Sequence, residues 1–271
     1  MATMSIGKAW EELVAFVRRE AALLFPVALL FVALPSLILQ EMTPPELQAW
    51  FAAPKADTIP AMPPGFGLAM LLTIILIWFG SLALFALALR PGISVGEALR
   101  MSFARLPVLI GTALVVVGAV AVVFIAAALV GILFALVSKP LAATIGLLLG
   151  FGAIALIFFA SIRLVLLNPV VIDGTAGVME SLRRAWALTR GYFWRLFGFL
   201  VIVMLLSTIA GSAAQVIVGL VGGLIAGAEG ARLAGGLAGA AVTSIVQVYM
   251  LVMLARLYRQ AQPQDVRDVF R

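Results

Sequence analysis

The stretch LPVLIGTALVVVGAVAVVFIAAALVGILFALV, residues 106–137, runs for 32 residues without a charged side chain. About 20 apolar residues cross the ~30 Å hydrocarbon layer of a bilayer. This segment is therefore too long for one perpendicular crossing and too short for two with a turn, and it reads as one long, tilted or partly protruding helix. Charged residues fence off five more runs of the same kind. They lie between Glu20 and Glu41, between Asp57 and Arg90, between Lys139 and Asp173 with one interruption at Arg163, between Arg195 and Glu229, and between Arg232 and Arg256. The sequence thus predicts an all-α polytopic membrane protein with six transmembrane helices.

Composition agrees. Of 271 residues, 64% are hydrophobic and only 30 are charged, whereas a soluble domain is roughly half apolar and a quarter charged. There is no Cys and no His, which removes thiol nucleophiles, imidazole bases, disulfides and the commonest zinc ligands. The net charge of +6 does not point to nucleic acid, because the basic residues flank the spans, where insertion bias places them. Near the start, Lys8, Arg18 and Arg19 alternate with Glu11, Glu12 and Glu20, so the first span is expected to remain attached instead of being cleaved as a signal peptide.

Fifteen Lys and Arg fall on one side of the expected spans and only Lys55, Lys139 and Arg232 on the other. The positive-inside rule then puts both termini in the cytoplasm, with Tyr192, Trp194 and Tyr258 near that boundary. A short amphipathic segment precedes each odd-numbered span, beginning at Ile6, Val95 and Val178. In the first, Ile6, Trp10, Leu13, Val14 and Val17 share a face; in the third, Val178, Leu182, Trp186 and Phe193 do. The three are expected to lie in the headgroup plane on the cytoplasmic side. Their spacings of 89 and 83 residues suggest a pseudo-threefold repeat of an interfacial helix plus a two-span hairpin, over 5–89, 94–172 and 177–258, with a polar tail at 259–271. Chance recurrence of Gly-x-Ala fragments is the competing explanation.

Several residues stand out as candidate sites. Arg183, Arg184, Arg190 and Arg195, interleaved with Trp186 and Trp194, read either as a surface for anionic lipid headgroups or as a topology determinant. Glu180 is spaced to pair with Arg183 and Arg184 on one helix. Arg163 lies inside a span, with Asn168, Pro169 and Asp173 following. An intramembrane cation is a functional candidate, although it could also snorkel to the boundary or pair with Asp173. Gly219, Gly223 and Gly227, Gly235 and Gly239, and Gly146 and Gly150 carry the four-residue spacing of close helix packing, expected within this chain. Gln215 and Gln247 are expected inside the bundle, each bonding a neighbouring helix. No Asp or Glu falls at a span centre, which disfavours proton-driven transport. No metal cluster, carboxylate pair or nucleophile elbow is apparent, so neither a metal nor a cofactor is expected.

The run RLVLLNPVVID at 163–173, followed by ESLRRAWALTRGYFWR at 180–195, resembles the glycerophosphoryl diester phosphodiesterase membrane-domain family and related six-span bacterial inner-membrane proteins. There a span ending in a Pro-containing stretch and an acidic residue leads into an amphipathic helix and another span. The resemblance implies the fold and a bacterial inner-membrane location. It does not carry catalysis over, because the soluble phosphodiesterase domain of the family's namesakes has no counterpart here. The expectation is a non-catalytic module contacting anionic membrane lipids, or organising a membrane-protein partner. The alternative is a carrier or channel for a lipid or small amphiphile.

Overall fold

A computed structural model describes residues 6–53, 60–136 and 138–262. Lys55, Asp57, Arg267 and Arg271, used above in reading the topology, lie outside the described residues. The described residues form helices and no strand. Helix α1, Ile6–Ala28, contains Pro26. Proline supplies no N–H to the helical ladder, and three residues later the backbone widens into a π-helical turn, Leu29–Ala33, before α2, Leu34–Met42, continues in line. A short α3, Pro45–Ala52, leads towards α4, Phe66–Leu89. Helix α5, Val95–Ala135, starts in a capping box, where the Ser94 Oγ accepts from the Glu97 N–H and the Glu97 carboxylate accepts from the Ser94 N–H. Then come α6, Lys139–Arg163, the short α7, Leu167–Asp173, α8, Val178–Leu188, and α9, Phe193–Ala261.

Five helical stretches are long and apolar enough to cross a membrane: Gly7–Met42, Phe66–Leu89, Val95–Ala135, Lys139–Asp173 and Phe193–Ala261. The last, at 69 residues, would span about 100 Å if straight. It is not straight. The backbone leaves helical geometry at Ala226 (φ −130°, ψ 19°) and Gly227 (φ 67°, ψ −156°), and the limbs 193–225 and 228–261 fold back antiparallel. A Cβ built on Gly222 would lie 2.5 Å from the Gly230 carbonyl oxygen, and one on Gly235 would lie 2.7 Å from that of Gln215. Only hydrogen at Cα permits backbones this close.

Among the glycines singled out in the sequence, Gly219, Gly223 and Gly235 have Cβ positions that meet the facing limb, with Gly239 in ordinary contact. The expected close packing needs correction elsewhere. Gly146 and Gly150 face open space, and Gly227 packs on nothing but supplies the positive φ of the reversal. Four-residue spacing fixes which residues share a face, and says nothing of whether a helix covers that face.

The interfacial helices also need correction. The first two amphipathic segments are not separate helices; they run without a break into α1 and α5. Only α8 stands alone, because Gly191 adopts φ 87° and ends the run before α9. Within the first segment, Leu13 and Val17 are buried in the protein core and Trp10 is exposed.

The core gathers at one end of the molecule. Residues 80–89 of α4 are buried on every side against α1, α7 and the last turns of α9, as an apolar helix without a polar face requires. Arg256, buried, stacks on the Phe16 ring at 4.7 Å, and Arg259 donates to the Leu89 carbonyl oxygen. Asn168 on α7 donates to the Ser81 hydroxyl at 3.3 Å. Asp173 accepts from the Tyr258 hydroxyl and the Gln262 amide, each at 3.0 Å, tying α7 to the end of α9. Tyr258→Phe removes one hydrogen bond to a carboxylate, so it should lower stability by about 1.5 kcal/mol. A thermal melt in detergent checks this, and an unchanged midpoint would show that the bond contributes nothing. Away from this core, α5, α6 and the first limb of α9 present rows of exposed apolar side chains, among them Leu114, Val117, Phe151 and Ile202, an arrangement suited to a lipid solvent.

Candidate functional site

Three helices converge beside the Arg163 end of α6. Thr189, just past α8, donates from Oγ1 to the Arg163 carbonyl oxygen at 2.9 Å, which pins the end of α8 to the end of α6. At the other end of α8, Val178 sits on Gly111 of α5, where a Cβ would lie 2.7 Å from the valine methyl. Held at both ends, α8 turns Arg183, Trp186 and Ala187, spaced at i, i+3 and i+4, towards one side, and the turn that follows it adds Arg190. That side closes a cleft of about 800 Å³ whose remaining walls come from α5 (Val115, Val116, Ala119, Val120, Val123) and α6 (Leu156, Ile157, Ala160, Arg163).

Arg163 is the pivot of this cleft. Its guanidinium carbon lies 5.2 Å from the Phe159 ring centroid and 5.5 Å from that of Trp186, a cation–π sandwich between two helices. Phe159 in turn packs on Trp186 at 5.9 Å and on Phe193 at 5.0 Å. The rings orient the guanidinium without accepting its protons in hydrogen bonds. Its Nε and Nη1 are buried and have no hydrogen-bond partner. Of the two alternatives, pairing with Asp173 is not formed; Asp173 accepts from Tyr258 and Gln262. Nor does Glu180 neutralise the arginines of α8; the ion pairs among the described residues are Arg19–Glu20 and Arg232–Glu41. Arg163, with these donors unmet, shares the cleft lining with Arg183 and Arg190, so three guanidinium groups face one apolar space.

The arginine and tryptophan residues singled out in the sequence thus separate. Arg183, Arg190 and Trp186 join Arg163 in the cleft. Arg184 faces away, its Nη1 3.8 Å from where a Cβ on Gly174 would sit. Trp194 is exposed and meets Phe193 and Phe197 edge to face at the start of α9, and Arg195 beside it does not line the cleft. Sequence reading missed Phe159 and Thr189 as the elements that aim Arg163, since neither residue type at those positions signals a site. Gln215 and Gln247 share a second cavity, of about 400 Å³, with Gln40, between the π-turn, α2 and both limbs of α9. It has no lining residue in common with the arginine cleft.

Fold and site together define an all-helical protein, with helices long and apolar enough to cross a membrane, that carries an arginine-lined apolar cleft. Residues 4–261 match the model of a family described as a domain of unknown function, DUF7847, and the chain belongs to that family. It matches no curated protein and no solved structure.

Proposed function

We propose that this protein is a non-catalytic integral membrane module that binds an anionic phospholipid, with the phosphate on Arg163, Arg183 and Arg190 and an acyl chain along the apolar walls of α5 and α6. The observation that carries the reading is the half-buried Arg163 in the cleft wall, whose Nε and Nη1 are buried without a hydrogen-bond partner. Leaving such donors unmet is costly, and more so in hydrocarbon. A lipid fits better than a soluble anion because the wall of the cleft is Val, Ala, Leu and Ile and continues into exposed apolar surface. Purified protein exchanged into nanodiscs containing equal phosphatidic acid and phosphatidylcholine should retain phosphatidic acid preferentially in native mass spectrometry. Equal retention of the two would contradict the reading.

The proposed topology has six crossings, the two limbs of α9 counting separately, in a bacterial inner membrane with both termini cytoplasmic. The reversal at Ala226–Gly227 and the charge imbalance of fifteen to three support it. A pseudo-threefold repeat is supported by the way each amphipathic segment leads into a long apolar helix followed by another. Reporter fusions after Arg271 should report cytoplasm and fusions in the loop at 44–64 the opposite side; the reverse pattern would overturn the orientation. The carrier alternative needs a continuous polar path, and the separate linings of the two cavities argue against one. The likeness to the glycerophosphoryl diester phosphodiesterase membrane-domain family agrees with a lipid-related role.

A further inference from the structure

We propose that the cavity between α2 and the two limbs of α9 is a second binding site, for an uncharged polyhydroxylated group such as a sugar or polyol. Its lining is unusual for an apolar chain, because it is an open cavity into which Gln40, Ser212, Gln215 and Thr243 are exposed and Gln247 is half-buried. Gln40, Ser207, Ser212, Gln215, Thr243 and Gln247 all face one space of about 400 Å³. The three glutamine side-chain amides make no hydrogen bond to other described residues. Polar side chains between membrane helices ordinarily bond across to a neighbour, and Gln215 and Gln247 lie near the middle of their limbs. Their free, accessible amides give the cavity several donors and acceptors at one place.

The chemistry of the lining selects the class of that partner. Among the lining residues there is no Asp, Glu, Lys or Arg, so an ion would enter without compensating charge. Ser36, Thr208 and Ser244 donate their hydroxyl protons to the carbonyl oxygens of Val32, Met204 and Ala240. They therefore offer the cavity acceptor lone pairs, while each glutamine amide offers both donors and an acceptor. A ligand that matches must donate and accept at several points, which is the property of clustered hydroxyls. Val32, Leu37 and the α-carbons of Gly236 and Gly239 supply apolar surface for C–H faces. The walls are fixed in advance, because the limbs meet backbone to backbone at Gly219 and Gly235, and a preformed site loses little to ordering. The π-turn at 29–33 forms part of the wall, and such turns recur at functional sites.

The test uses the full chain in nanodiscs, with a glucosyl-diacylglycerol and a diacylglycerol of matched acyl chains as probes, each read by native mass spectrometry. The glucosyl lipid should be retained and the sugar-free lipid lost. Gln215→Leu with Gln247→Leu should lower retention of the glucosyl lipid about tenfold, at an unchanged melting midpoint. If that variant does not fold, the near-isosteric pair Ser212→Ala and Thr243→Val should lower retention in the same direction. Displacement by excess free glucose would identify a free sugar or polyol as a sufficient ligand; retention that glucose does not displace would identify a glycolipid headgroup. Equal retention of the two lipids, or retention that both folded variants leave unchanged, would overturn the proposal.

Discussion

Arg163→Gln is expected to reduce the affinity for phosphatidic acid by roughly 10- to 100-fold while leaving the protein folded. The figure follows from the geometry of the guanidinium. Hydrogen bonds to a charged partner contribute about 1.5–3 kcal/mol, and each 1.4 kcal/mol is a factor of ten. Glutamine keeps a polar terminus but loses the charge and most of the planar set of N–H donors. Arg163→Lys should fall between, since it keeps the charge without the planar fork. Arg183→Gln and Arg190→Gln, nearer the surface, should each cost about 1 kcal/mol. Arg184→Gln, whose side chain lies against the Gly174 loop, should have little effect. Lipid titration of each variant in nanodiscs checks the series. An Arg184 effect as large as that of Arg163 would mean that binding follows net charge and not the cleft.

The largest effect on stability is expected at Gly222. A methyl group there would lie 2.5 Å from the Gly230 carbonyl oxygen and 2.7 Å from the Ala234 Cβ, contacts that only a backbone shift can relieve. Overpacking of this kind costs about 2–3 kcal/mol. Gly222→Ala should therefore lower the melting midpoint by roughly 5 °C or more. Gly146→Ala and Gly150→Ala make the informative contrast, because the space beside both is open. Each should be neutral or slightly stabilising, since alanine is the better helix former by up to about 1 kcal/mol. Equal losses at all three positions would mean that the antiparallel contact between the α9 limbs does not hold.

Those glycines illustrate how far the sequence could be read. Uncharged runs such as 106–137 announce apolar helices directly, because the bilayer's thickness acts on each segment separately. Whether a face of such a helix is covered depends on its neighbours, so Gly146 and Gly222 look alike in sequence and differ in space. The expected helix breaks are absent in α1, where no residue forces one, and in α5, which continues through Pro107. No glycine or proline separates the amphipathic start of α1 from its apolar continuation, whereas Gly191 does separate α8 from α9. The site was half legible. The pattern Arg183, Trp186, Arg190 marks one face of a helix, but the meeting with Arg163 depends on the Thr189 hydroxyl and on Gly111 admitting Val178. Asp173, ten residues from Arg163, offers it a partner in sequence, while its partner in the fold, Tyr258, lies 85 residues along the chain. Long-range pairings of this kind leave no local periodicity.

The most direct test of the lipid-binding cleft is photo-crosslinking with a phosphatidic acid that carries a diazirine midway along one acyl chain, followed by peptide mapping of the adducts. The cleft predicts adducts concentrated on α5 at Val115–Val123 and on α6 near Leu156, lost in Arg163→Gln and absent when the same diazirine chain is carried by phosphatidylcholine. Adducts spread evenly over the apolar faces of α5, α6 and α9, and indifferent to both the headgroup and Arg163, would contradict it.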